Sequence, residues 1–128
     1  MSDKFIVEII TPNSSIFKEE ATEVIIPSYE GQMGILKDHI PLITFLRPGI
    51  ISVKSKDEKK YFVEEGTVEF SNGNLLILTS AVKNINDLDK SFIEKIIKDC
   101  QDKMGNVEIS DKEKYLLSHK IDTLREIN

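Results

Sequence analysis

A chain of 128 residues and 14.6 kDa has room for one domain, or for one domain with an appendage, and excludes two large ones. Seventeen Lys and Arg against 22 Asp and Glu leave a net charge of -5, which opposes attraction to phosphate backbones and argues against nucleic acid as a partner. A single cysteine, Cys100, rules out an intramolecular disulfide and a cysteine metal cluster.

The opening residues MSDKFIVEIITPN have neither a basic, acid-poor leader nor a long apolar core, so no secretory signal or transit peptide is expected. Apolar runs along the chain are only a few residues long, against roughly 20 for a membrane-spanning helix. Up to about Val82 the chain reads as short extended segments. Candidate strands cover residues 5–11, 16–17, 21–27, 31–36, 42–46, 50–55, 60–64, 67–71 and 74–81, and the β-branched residues cluster in them. The punctuation fits: TPNSS, then SKDEK within a charged hairpin tip, then Asn72-Gly73, a pair suited to the positive φ of a two-residue hairpin turn. So many short, closely spaced strands predict an antiparallel β-sandwich or flattened barrel.

After Ala81 the period changes. Phe92, Ile93, Ile96, Ile97, Cys100 and Met104 recur at three- and four-residue spacing and form one helical stripe, with Asp87 or Asp89 to cap its start and Gly105 to end it. Ser110 and Glu113 have capping-box spacing, and Leu117, Ile121 and Leu124 carry a second stripe toward the C-terminus. The short intervening loop predicts an antiparallel two-helix hairpin. A helix pair of about 40 residues has little core of its own. It must bury its stripes against the sandwich or against another protein, and weak self-sufficiency suits a mobile regulatory element as well as a permanent appendage.

Catalysis needs convergent acids, bases, nucleophiles or metal ligands, and the chain has only two histidines, in different halves. There is no HExxH, CxxC or GxxxxGK[ST], and Gly31 and Gly34 are not followed by a helix that would complete a phosphate cradle. Asp38 and His39 are adjacent on an extended stretch, where side chains point to opposite faces. His39 is therefore read as a turn residue, and His119 with Asp122 as a surface pair on the second helix.

The stretch PSYEGQMGILKDHIPLITFLRPG resembles the signature of the epsilon subunit of F-type ATP synthases. In that family a strand end is followed by an acidic-Gly-x-x-Gly-Ile-Leu segment, a turn, His-x-Pro-Leu and Leu-x-Pro-Gly. VEIITPNSSIFKEEATEVIIP is similar to the family's opening strands, YFVEEGTVEFSNGNLLILTSAV to its later hairpin and strand, and INDLDKSFIEK to the start of its helical hairpin. The resemblance covers nearly the whole chain.

It implies a noncatalytic rotor subunit with no cofactor. Residues 1–84 would be a β-sandwich that fixes the gamma subunit to the c-ring, and residues 85–128 a regulatory hairpin able to reach the alpha and beta subunits and block ATP hydrolysis. The rotor-facing surface would comprise Gln32, Met33, Gly34, Ile35 and His39; Lys112, Lys114, Lys120 and Arg125 would be hairpin contacts with the catalytic head. The implied location is the cytoplasmic side of a bacterial inner membrane, as a peripheral protein.

Three departures stand out. Gln32 occupies a position where many relatives carry an acid. Some bacterial members bind ATP through Ile/Leu-Asp-x-x-Arg-Ala, but this chain reads Leu88-Asp89-Lys90-Ser91-Phe92-Ile93, which removes the guanidinium fork and leaves Asp89, Lys90 and Arg125 as weak ATP candidates. The second helix mixes acids with bases where a strongly basic face is expected. Two further classes remain: a free ATP-sensing module, and a small hydrolase using Asp38 and His39.

Overall fold

The computed structural model describes residues 3–127, so the outermost ends of the two expected segments, residues 1, 2 and 128, lie outside it. Ten strands come first: β1 (Phe5–Thr11), β2 (Ser14–Ala21), β3 (Glu23–Ser28), β4 (Gly31–Ile35), β5 (Leu42–Leu46), β6 (Gly49–Lys54), β7 (Glu58–Val63), β8 (Gly66–Ser71), β9 (Asn74–Thr79) and β10 (Val82–Asn84). A 3-10 turn at Ile85–Asp87 leads to α1 (Lys90–Met104) and α2 (Asp111–Ile127). The strands form one curled sheet in the order β10-β7-β6-β3-β5-β8-β9-β1-β2, with β4 paired to β3.

β3 is the corner. Its Glu23–Ile25 segment pairs with β6 on one side, while Ser28 pairs with Leu46 of β5, so the two halves of the sheet fold over each other from a common strand. Alternate residues then point into the space between the halves. That core holds Val7 and Ile9 of β1, Val24 and Ile26 of β3, Ile35, Leu46, Ile51, Val68 and Ile77, all with no exposed surface. One ladder, β1 with β9, is parallel, because strands far apart in the chain meet there after the sheet has curled; the others are antiparallel.

Local chemistry explains the turns. Asn72 and Gly73 both take positive φ, 52° and 73°, as the two-residue hairpin between β8 and β9 requires. Gly66 is needed for a different reason, since a Cβ there would lie 2.2 Å from the Leu78 carbonyl oxygen.

The helical caps fall where the sequence places them. Asp89 accepts from the Phe92 N–H at 2.7 Å, Gly105 ends α1, and Ser110 Oγ accepts from the Glu113 N–H at 3.1 Å. The hairpin lies against the outer face of β6 and β7. Ile93 and Leu124 join Phe62 and Leu88 in a second buried cluster, flanked by Ile50, Ile85, Ile96, Ile97 and Ile127. Cys100 is buried with the helices, and burial pushes its thiol pKa up.

Candidate functional site

Two surface features stand out, and the first begins at β4. This strand hydrogen-bonds to β3 among the described residues and leaves its other edge open. Ser28 Oγ donates to the Gly31 carbonyl at 2.6 Å across the Tyr29-Glu30 turn, and Gly31 takes φ 120°, a value that favours glycine. Because successive side chains alternate, the expected rotor-facing residues do not form one surface. Gln32 and Gly34 face outward, Met33 packs partly against the core, and Ile35 has no exposed surface at all. The expectation for Ile35 is corrected accordingly: its side chain supports the strand from within. Gln32 borders a groove with Ile25, Ile50, Ser52 and the last residues of α2, Glu126 and Ile127.

Beyond β4 the chain turns at residues 37–38, with the His39 N–H donating to the Leu36 carbonyl at 3.0 Å. Nδ1 of His39 lies 2.7 Å from the Ile40 carbonyl oxygen, and the ring meets Phe70 edge-on at 6.1 Å. His39 is thus occupied by the turn and by Phe70, while Asp38 is exposed. No group of three or more His, Cys, Asp or Glu that could hold a metal ion occurs among the described residues.

What the sequence pattern did not reveal is how much apolar surface this corner leaves open. Leu36, Ile40, Ile43 and Phe45 are all exposed, Ile40 and Ile43 at 74%. Pairing carries the exposure across the sheet: Phe45 lies opposite Thr67, Thr67 opposite Leu78, and Leu78 beside Ile10. This row floors a groove of about 870 Å³ whose walls include Tyr29, Pro12 and Lys112. Exposed apolar side chains grouped in this way, with the polar Thr67 and Glu69 of β8 between them, fit an interaction surface. The only sequence signal was the alternation in Leu42–Leu46, which leaves Ile43 and Phe45 pointing away from the core.

The second feature is the seam between the sandwich and α2. Arg47 Nε donates to the Ser28 carbonyl at 3.1 Å, and its Nη1 lies 3.1 Å from Nδ1 of His119. Tyr115 packs against His119 at 4.4 Å, stacks on Tyr29 at 5.7 Å, and donates its hydroxyl to the Tyr29 carbonyl at 3.3 Å. Thr123 Oγ1 donates to the Pro48 carbonyl, and Lys120 pairs with Glu64. The expected surface pair of His119 with Asp122 is corrected here. The imidazole is half-buried against the sandwich, and burial, then Arg47, lower its pKa while the Asp122 charge opposes them.

The remaining sequence candidates are scattered. Lys112 borders the apolar groove, Lys114 and Arg125 are exposed, and Lys120 is engaged with Glu64. The Asp89 carboxylate is taken up by the Phe92 N–H and the Ser91 hydroxyl, and Lys90 is exposed at the start of α1.

The family model described as ATP synthase, Delta/Epsilon chain, beta-sandwich domain matches residues 4–85, more than half of the chain. The chain belongs to this family. An ATP synthase epsilon chain of Pelagibacter ubique is 48% identical over the full length of both chains, and one from Parvibaculum lavamentivorans is 30% identical over 99% of this chain and 97% of its own. Among solved structures, a chain of the Euglena gracilis mitochondrial ATP synthase superposes with a TM-score of 0.84 at 20% identity, covering 98% of this chain and 82% of its own, which supports the fold. The family's β-sandwich segment thus ends where β10 gives way to the 3-10 turn, and the full-length relatives extend through both helices. Among the described residues no helix is long and apolar enough to cross a membrane.

Proposed function

We propose that this chain is the epsilon subunit of a bacterial proton-translocating ATP synthase, a noncatalytic part of the rotor that transmits c-ring rotation through gamma to the catalytic head. The observation that carries the reading is the set of exposed apolar side chains on the outer face of β5 and β9, on a chain of this family: among the described residues Ile43, Phe45 and Leu78 are left open to solvent, which a protein partner would cover. Gamma is assigned to this face. The c-ring is assigned to the open β4 edge and the following turn, where Gln32, Met33, Gly34 and His39 lie. Gln32 offers hydrogen bonds and no charge, so apolar contact from Leu36 and Ile40 would carry more of the grip.

Residues 85–128 form the regulatory unit, whose described part, residues 85–127, folds against the sandwich here and is able to present Lys112, Lys114, Lys120 and Arg125 to the alpha and beta subunits when extended. For Lys120 that step breaks its pair with Glu64. The subunit sits peripherally on the cytoplasmic side of the inner membrane. The test is recovery of tagged protein from detergent-solubilised membranes: co-purification of gamma and c subunits is expected, and recovery without either would overturn the reading. ATP hydrolysis by the assembled enzyme should rise when residues 86–128 are removed; an unchanged rate would leave the hairpin a structural element.

A further inference from the structure

The seam of Arg47 and His119 carries more than packing, because its hydrogen bond admits one protonation state. A guanidinium has donors and no acceptor, so at 3.1 Å from Arg47 Nη1 the Nδ1 atom of His119 must offer its lone pair. The imidazole is therefore neutral, with its proton on Nε2. Protonation of Nδ1 would set one N–H against another and place two cations in contact.

Neither partner is free to turn away. Arg47 is held by the Ser28 carbonyl and its Nη1 also reaches the Pro48 carbonyl at 3.4 Å. The His119 ring packs on Tyr115, which is itself clamped to Tyr29 by stacking and by a hydrogen bond. The titratable and charged groups that act on the imidazole are Arg47 from the sandwich and Tyr115 and Asp122 from α2; Tyr29 reaches it only through Tyr115, and Lys120 is the next residue along α2. Lys120 is neutralised by Glu64, and Asp122 is the one carboxylate acting in favour of the imidazolium.

We propose that His119 is a proton-operated latch: neutral, it ties α2 to the sandwich through Arg47, and protonated, it loosens the hold on the hairpin. The sign follows from linkage. The docked pKa lies below the ordinary value of 6.5, so the undocked state takes up the proton more readily. Docking is at full strength above about pH 6.5 and weakens as the pH falls through the docked pKa. If the hairpin is regulatory, as proposed above, mild acidification favours its extended form; the latch itself is intramolecular and does not depend on that reading.

Hydrogen exchange on the full-length chain tests it, at about pH 8 and about pH 5.5, with labelling times scaled for the intrinsic rate change. Amides of α2 should lose protection severalfold at the lower pH relative to those of β1 and β9. His119→Asn keeps an acceptor near the Nδ1 position and cannot titrate, so the pH effect should vanish. An unchanged wild type, or an equal response in H119N, overturns the latch. Should H119N fold poorly, NMR titration of the wild-type imidazole decides: its midpoint should lie below 6.5 and rise in Arg47→Met, and an unmoved midpoint overturns the proposal. ATP hydrolysis enters neither measurement, so failure of the latch and failure of the functional reading are separable.

Discussion

Leu124→Ala should detach the hairpin while leaving the sandwich intact. Leu124 has no exposed surface and shares a cluster with Phe62, Leu88 and Ile93, which is separate from the core between the sheet halves. Truncating a buried leucine costs about 2–5 kcal/mol, less where the site can collapse over the gap. Here the cluster lies between two bodies that can shift toward each other, so the lower part of the range, about 2–3 kcal/mol, is expected. At 1.36 kcal/mol per tenfold, the docking equilibrium moves by about 30- to 150-fold. Hydrogen exchange read by segment is the assay: protection should fall in α1 and α2, with little change in β1, β8 and β9. Unchanged helices, or equal losses in helices and inner strands, would refute the division into two cores.

Gly66→Ala should damage the sandwich itself, because its Cβ would meet the Leu78 carbonyl oxygen at 2.2 Å and backbone must move. A cost of about 3 kcal/mol is expected, read as a drop of more than about 10 °C in the thermal midpoint; an unchanged midpoint would contradict the close approach. Cys100 should resist iodoacetamide near pH 8 in the native chain, since burial raises its pKa, and should react promptly in Leu124→Ala. Equal labelling rates in the two proteins would sink that link between thiol and hairpin. Ile43→Asp with Phe45→Asp should leave circular dichroism and melting nearly unchanged, both positions being exposed, while abolishing co-purification with gamma. Retained co-purification would move the gamma contact elsewhere.

Much of this fold was legible because local chemistry decided it. The expected and observed limits coincide for residues 5–11 and 42–46, where alternation is clean; the Asn72-Gly73 turn takes the positive φ its residues tolerate, the caps at Asp89 and Ser110 fall where their side chains dictate, and α1 ends at Gly105. β2 was read as two residues and runs to eight, because only Phe17 and Ala21 face the core and the solvated Lys18, Glu19 and Glu20 hide the strand period. β10 was missed because three residues cannot show a period; its pairing with β7 makes it a strand. The site was harder to see for the same kind of reason. Arg47 and His119 are 72 positions apart, and nothing local marks either as the other's partner. Ile35 was grouped with its neighbours by motif, whereas the pleat turns it inward.

The two outer faces of the sandwich explain why a latch built on one hydrogen bond could matter. The β6–β7 face is covered by this chain's own helices, and the β5–β8–β9–β1 face is not. Undocking exposes Phe62 together with Ile93 and Leu124, and each such side chain returned to water costs about 1.5–3 kcal/mol. A protonated His119 cannot supply that sum alone. It lowers the cost of leaving, and the remainder must come from another apolar surface that receives the helical stripes. Release and recapture are therefore coupled: in the isolated subunit acid should loosen the hairpin without expelling it, and only where another apolar surface receives the stripes should the same protonation change which conformation dominates.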